Sequence, residues 1–246
     1  RKLNVRMVHW VHDLWPESVT ATTPLKGGPI ISMLDKFVTR IYEQSDVILV
    51  QSKVFEKSIC SKGDFKDKLV YAPNWAENSF IDADTSIDAS FPLQPDESEF
   101  RVMFAGNIGE AQDFGNIIKA ANLTRDIPCI KWIVVGDGRA RENAEKEVAG
   151  LGLKDTVKFL GRHPVETMPK FFALADAMLV TLKDEFIFSL TVPSKTQAYM
   201  ASGKPILTMI NGAGNDVVEE AGCGLTANAE DYVTLASNVK KMYAMT

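Results

Sequence analysis

Short apolar runs rich in Val, Ile, Leu and Met alternate along this chain with stretches whose apolar positions recur every three or four residues. That alternation predicts strands separated by helices, the pattern of a parallel sheet with helices on both faces. In the first part, residues 4–12, 46–52 and 69–74 read as strands. Between them lie a helix with Ile30, Leu34, Phe37 and Ile41 on one face, read as its core-facing stripe, and a short helix through Cys60. Residues 76–98 lose the period and fill with Asp, Ser and Pro, so they are expected to link two domains. The alternation then resumes. Strands at 101–105, 131–135, 157–160, 177–181 and 205–208 are interleaved with helices near 111–121, 139–151, 168–175 and 193–201. A short helix after Asn215, the run 223–226 and a helix from Asp231 to the end close the chain. The expectation is α/β, with one doubly wound domain over 1–75 and another over 99–246.

Most strands of the second part end in glycine or small polar residues: Gly106-Asn-Ile-Gly109, Gly136-Asp-Gly138 and Gly161-Arg-His163. Sheets of this class bind ligands at the carboxyl ends of their strands, where glycine lets backbone approach a ligand closely. The full GxGxxG spacing of a dinucleotide site is absent, as is a Walker lysine motif, so hydride transfer has little support. The stretch 188–205 organises the chain's chemistry. Pro193 suits the first turn of a helix, and such an N-terminus just past a strand end offers amides and a partial positive charge. Ser189, Thr191 and Ser194 add hydroxyls and Lys195 a full charge, making an anion site. The same residues also fit an ordinary strand–loop–helix corner with a solvated lysine. His9 and His12 fall on opposite faces of their strand, which argues against a metal pair.

The net charge of −5 is unevenly spread: +3 over 1–75, −7 over 76–100 and −1 over 101–246. The acidic excess is thus a property of the connection, and no basic stripe supports nucleic-acid binding. Cys60, Cys129 and Cys223 are far apart with no CxxC, and read as free thiols in a reducing compartment. No apolar run reaches the ~18 residues that span a bilayer. Arg1 opens the chain without a methionine and almost directly in a strand, so an N-terminal part is expected to be missing.

Several motifs together resemble the retaining glycosyltransferases of the GT-B fold, family four. They are Asp13-Leu-Trp-Pro-Glu-Ser18, Gly106-Asn-Ile-Gly109, Val135-Gly-Asp-Gly138, Phe159-Leu-Gly-Arg162, Val192-Pro-Ser-Lys195 and Tyr199-Met-Ala-Ser-Gly-Lys-Pro205. The likeness is greatest to bacterial fucosamine-transferase-like enzymes of O-antigen, capsule and exopolysaccharide synthesis. It implies an incomplete acceptor domain over 1–75, a linker over 76–98 and a donor domain over 99–246, with catalysis between the domains. The donor would be a nucleotide sugar, usually of UDP, and the acceptor a glycan or lipid-linked glycan. No metal or cofactor is implied, and no nucleic-acid partner. The setting would be cytoplasmic, at the inner face of the membrane, with peripheral membrane association.

The resemblance places the diphosphate over the backbone of Ser189, Leu190 and Thr191, with Ser194 and Lys195 beside it. It places the base near Gly136, Gly138 and Arg162, and the backbone of Asn107, Ile108 and Gly109 near the phosphates. His12 matches the family's histidine at the acceptor side and with Lys195 is expected to be catalytic. Asp13, Trp15 and Glu17 would line the acceptor face. One departure stands out: Leu190 and Ala198 occupy positions where the family carries two glutamates, unless a gap brings in Asp184 or Glu185. The expected activity is transfer of a sugar from a UDP-HexNAc or deoxy-HexNAc, with this chain itself inactive in transfer. The alternatives are a nucleotide-sugar epimerase of the same fold and a degenerate nucleotide-sugar-binding subunit.

Overall fold

The computed structural model describes residues 5–81 and 83–245. Asn4 and Thr246, the expected outer ends of the first strand and last helix, lie outside the described residues, as does Asp82 of the expected linker. The chain opens with β1 (Val8–Val11), α1 (Glu17–Thr22), α2 (Pro29–Gln44), β2 (Val47–Val50), α3 (Phe55–Cys60) and β3 (Leu69–Tyr71). It continues with β4 (Phe100–Ala105), α4 (Phe114–Leu123), β5 (Ile130–Val135), α5 (Arg141–Gly150), β6 (Val157–Gly161) and α6 (Met168–Ala173). Then follow β7 (Ala177–Thr181), α7 (Phe186–Ser189), α8 (Ser194–Ala201), β8 (Ile206–Met209), α9 (Ala213–Glu220), β9 (Gly224–Ala227) and α10 (Tyr232–Tyr243). Two compact units result. The first runs to Asn74 and includes Glu185–Val192; the second takes Trp75–Asp184 and the chain from Pro193.

The first unit is a parallel sheet in the order β1-β2-β3. Val11, Ile48 and Val50 pack from it against Val38 and Tyr42 of α2 and Phe55 and Ile59 of α3. α2 corrects the expected stripe. Leu34 and Ile41 are half-buried, but Ile30 and Phe37 are 52% and 62% exposed, and the buried residues are Val38 and Tyr42. The helix is apolar on two neighbouring faces, and periodicity alone does not say which one turns inward. A second difference is α7. Its turn carries Ile187, with Phe188 and Leu190 beside it, into this unit's core.

The second unit is an all-parallel sheet in the order β6-β5-β4-β7-β8-β9. β4 is buried along its whole length, and alternation sends its side chains to two cores. Val102 and Phe104 join Trp132 and helices α4, α5 and α10 on one face. Met103 and Ala105 join Ile133, α6, α8 and α9 on the other. Trp132 is accommodated in the first core because its ring N–H donates to Thr124 Oγ1 at 3.0 Å. The expected linker does more than connect. Leu93 is buried in the second core, Phe80 stacks on Phe172 at 5.5 Å, and Phe91 lies 4.6 Å from Phe171.

Candidate functional site

The chain runs outward from β4 to β6 and then returns to place β7 on the other side of β4, so the connections diverge at the carboxyl ends of β4 and β7. Open α/β sheets bind ligands at such a switch point. Here the strand-end turns are laced together. Gly106 N–H donates to Val135 O (2.9 Å), Ile108 N–H to Asp137 O (2.9 Å), and Gly136 N–H to Gly161 O (2.8 Å). The lacing requires glycine: a Cβ on Gly136, whose φ is +145°, would stand 1.8 Å from Gly106 O. β7 is tied in as well, through Thr181 Oγ1 donating to Gln112 O at 2.6 Å and Lys183 N–H to Ala111 O at 2.9 Å.

Over this floor lies a cavity of about 740 Å³ that Gly106, Asn107, Arg139, Arg162, His163 and Met168 help to line. Arg139 and Arg162 are exposed, so the cavity is bordered by two cations. His163 is held by Nε2 at 3.0 Å from Leu160 O and by its ring 4.8 Å from Phe171.

α8 stands beside the same floor, fixed by Tyr199. Its hydroxyl accepts from Ala105 N–H (3.1 Å) and donates to Ala105 O (3.0 Å), locking the helix to the end of β4. Pro193 precedes the first turn, and two buried groups there have no hydrogen-bond partner among the described residues: the Lys195 ammonium and Thr196 Oγ1. The Lys195 stem is partly exposed, but its nitrogen is sealed from solvent near Gly106. Burial brings its pKa down to about 7. A buried ammonium without a hydrogen-bond partner at a helix N-terminus is complementary to an anion.

The sequence pattern of the family "Glycosyl transferases group 1" matches residues 99–245, which is the second unit's sheet with this cavity. The chain belongs to that family. WbjE of Pseudomonas aeruginosa is 30% identical over 241 residues, covering 95% of this chain and 59% of the relative. WcaI of Escherichia coli K12 is 28% identical over 182 residues, covering 72% and 44%. Both are described, provisionally, as glycosyltransferases, the second in colanic acid biosynthesis. The chain therefore spans about three fifths of one relative and less than half of the other. HepE of Anabaena, solved with UDP and glucose, shares the fold at a TM-score of 0.73 and 16% identity, over 97% of this chain and 62% of its own. The architecture is GT-B, with Rossmann-like parallel sheets.

The expected donor residues divide. Asn107, Gly136, Gly138 and Arg162 share the cavity, and Lys195 lies next to it. Ile108 and Gly109 offer less than expected, because Ile108 N–H is taken by Asp137 O and Gly109 N–H donates to Gln112 Oε1 at 3.1 Å. Ser194 sits exposed in the first turn of α8. Ser189, Leu190 and Thr191 depart from expectation and belong to the first unit. The α7 turn engages their hydroxyls: Ser189 Oγ donates to Phe186 O (2.7 Å) and Thr191 Oγ1 to Ile187 O (3.1 Å). Leu190 packs against that unit's core and with Phe186 lines a separate cavity of about 1020 Å³.

In the first unit, His12, Asp13 and Trp15 share a small cavity of about 270 Å³, with the His12 ring 4.3 Å from that of Trp10. Glu17 has another role: Oε1 accepts from Ser58 Oγ (2.9 Å) and pairs with Lys62 (3.0 Å), which also meets Asp35 at 2.7 Å. Burial lowers the Lys62 pKa, but the hydrogen bonds and charges of Asp35 and Glu17 outweigh it and the net shift is upward. Sequence reasoning missed Arg139, His163 and Met168 as cavity residues, although Arg139 directly follows the Gly136–Gly138 turn and His163 follows Arg162. Among the described residues no group of three or more His, Cys, Asp or Glu is placed to hold a metal ion.

Proposed function

We propose that this chain carries the donor-binding part of a retaining glycosyltransferase that moves a sugar from a UDP-sugar to a glycan or lipid-linked glycan in bacterial cell-surface polysaccharide synthesis. The observation that carries the reading is the sealed, unpartnered Lys195 ammonium at the start of α8, beside a strand-end cavity bordered by Arg139 and Arg162. Glycosyl transfer needs the departing diphosphate neutralised, and a fixed cation with helix-terminal amides supplies that without a metal. The cavity takes the nucleoside, with Gly136, Gly138 and Arg162 around it. Lys195 takes the diphosphate. His12, Asp13 and Trp15 serve the acceptor on the first unit.

An N-acetylated or deoxy donor sugar is supported by the absence of carboxylates at positions 190 and 198. Leu190 and Ala198 stand where the resemblance expects glutamates, and the nearby Asp184 already accepts from Asn211 Nδ2 at 2.8 Å. Work at the cytoplasmic face of the membrane is supported by α2, where exposed Ile30, Met33 and Phe37 lie beside exposed Lys36 and Arg40. Among the described residues no helix is long and apolar enough to cross a bilayer.

Calorimetry with UDP tests the reading. Lys195→Ala in a folded protein should lose about 1.5–3 kcal/mol of binding, the usual worth of a charge-assisted phosphate contact. Unchanged affinity would remove Lys195 from the site. A panel of UDP-sugars offered to the full-length enzyme then separates transfer from epimerisation and from binding alone.

A further inference from the structure

The Lys195 ammonium faces the ring of Phe104: Nζ stands 3.9 Å from the ring centroid. Phe104 is itself immobilised, 1% exposed and met edge-on by Phe114 at 5.0 Å. Gly106 is the other neighbour on β4 and its turn, where a Cβ would come within 3.2 Å of the same nitrogen. Among the described residues no carbonyl, carboxylate or hydroxyl is hydrogen-bonded to it. Carboxylates at the adjoining strand ends and turns are committed elsewhere. Asp137 accepts from Gly138 N–H and lies 3.8 Å from Arg141, Glu110 pairs with Lys183, Asp113 accepts from Asn116, and Asp184 from Asn211. Burial lowers the pKa of this amine to about 7. A π face stabilises an ammonium without consuming its N–H donors, which leaves them free for an incoming anion.

We propose that Phe104 is a positioning residue for donor binding: its ring holds the Lys195 nitrogen ready beside the cavity, and a nucleoside diphosphate sugar draws a proton from solvent onto it. The inference rests on the reading that this cavity takes a nucleotide sugar. Gly106 is part of the device, because any side chain there would press on the stored nitrogen.

The test is calorimetry of UDP-N-acetylglucosamine in buffers of different ionisation enthalpy; its diphosphate has no group of its own titrating near neutral pH. Net proton uptake at pH 7, larger at pH 8, is expected from an amine whose pKa burial has lowered. Lys195→Met should abolish the uptake. Phe104→Leu should bind on the order of threefold to tenfold more weakly, the worth of a lost cation–π contact. It should also raise the uptake at pH 7, since the free ammonium has lost its support. Phe104→Met is the second variant should the leucine protein melt early. Binding without proton uptake in the unmutated chain overturns the proposal while leaving the site assignment standing. A weakened Phe104 variant with an unchanged proton count overturns it too, as that is what packing alone would give. No binding at all removes both the inference and the functional reading.

Discussion

Lys195 illustrates how a single residue links stability to ligand binding. In the unfolded chain its amine titrates near 10.5, and in the folded site near 7. Between those values the unfolded chain holds a proton the native site does not, so folding stability rises with pH from about 7 to 10 on this account. The contribution is fully present above the unfolded value and is lost as pH falls through the folded one. Its slope is up to about 1.4 kcal/mol per pH unit. Urea melts across this range should show the rise, and Lys195→Met should flatten it; an identical slope in the variant would contradict the burial. Gly136 offers the opposite kind of test, purely steric. Gly136→Ala drives a Cβ into Gly106 O at a positive φ and should cost about 3 kcal/mol or more. Gly150→Ala, with nothing within 4 Å of the added carbon, should be neutral or mildly stabilising. Equal melting temperatures for the two would show that the strand-end turns are not tightly laced. Both residues were legible in the sequence, Lys195 from its place after Pro193 and Gly136 from the Gly-Asp-Gly turn. Phe104, Ala105 and Tyr199 were not, because those contacts join residues far apart in sequence, and periodicity marks such residues only as core.

At the scale of elements, the strands were readable because buried parallel strands are short apolar runs with few rivals, as β4, β5 and β7 are. α2 and α7 were not. α2 presents apolar side chains on two faces, and only packing reveals that Val38 and Tyr42 point inward while Ile30, Met33 and Phe37 face out. α7 is a single turn, too short for any periodic signal, and tertiary contact decides its place. The outward face of α2 carries a prediction. Lys36 and Arg40 border it, and Asp35, the carboxylate between them and the core, is already taken by Lys62. An apolar stripe with a basic flank fits an anionic lipid surface. Phe37→Glu should therefore weaken co-sedimentation with phosphatidylglycerol vesicles by about tenfold, since it removes an apolar anchor and adds a repelled charge. Melting should barely change, because the side chain is 62% exposed. Equal partitioning of the variant and the unmutated protein would sink the membrane role for this face.

For the molecule as a whole, β/α alternation announces a doubly wound sheet but not its strand order. That order depends on which face each connection crosses, and it is the order that puts the switch point at the ends of β4 and β7. The two units differ in what they hold. Among the described residues the second has six parallel strands, two cores and the lacing around the cavity, whereas the first has three strands, with Val8 of β1 59% exposed. Nucleotide binding, on the proposed reading, draws on the second unit alone, because Lys195, Arg139, Arg162 and the glycine turns all lie there. Transfer also needs an acceptor held in register with the donor, which binding energy at one unit does not supply. The 246-residue chain spans about three fifths of WbjE. It should bind UDP with the Lys195 dependence described above, yet release no sugar from UDP-N-acetylglucosamine to a lipid-linked acceptor. Turnover by this chain, followed as UDP released per unit time and abolished by Lys195→Ala, would show that the three-stranded unit with His12 suffices to hold an acceptor. Binding without turnover, together with turnover by the full-length enzyme, would assign donor recognition to the second unit and acceptor placement to residues beyond those the present chain contains.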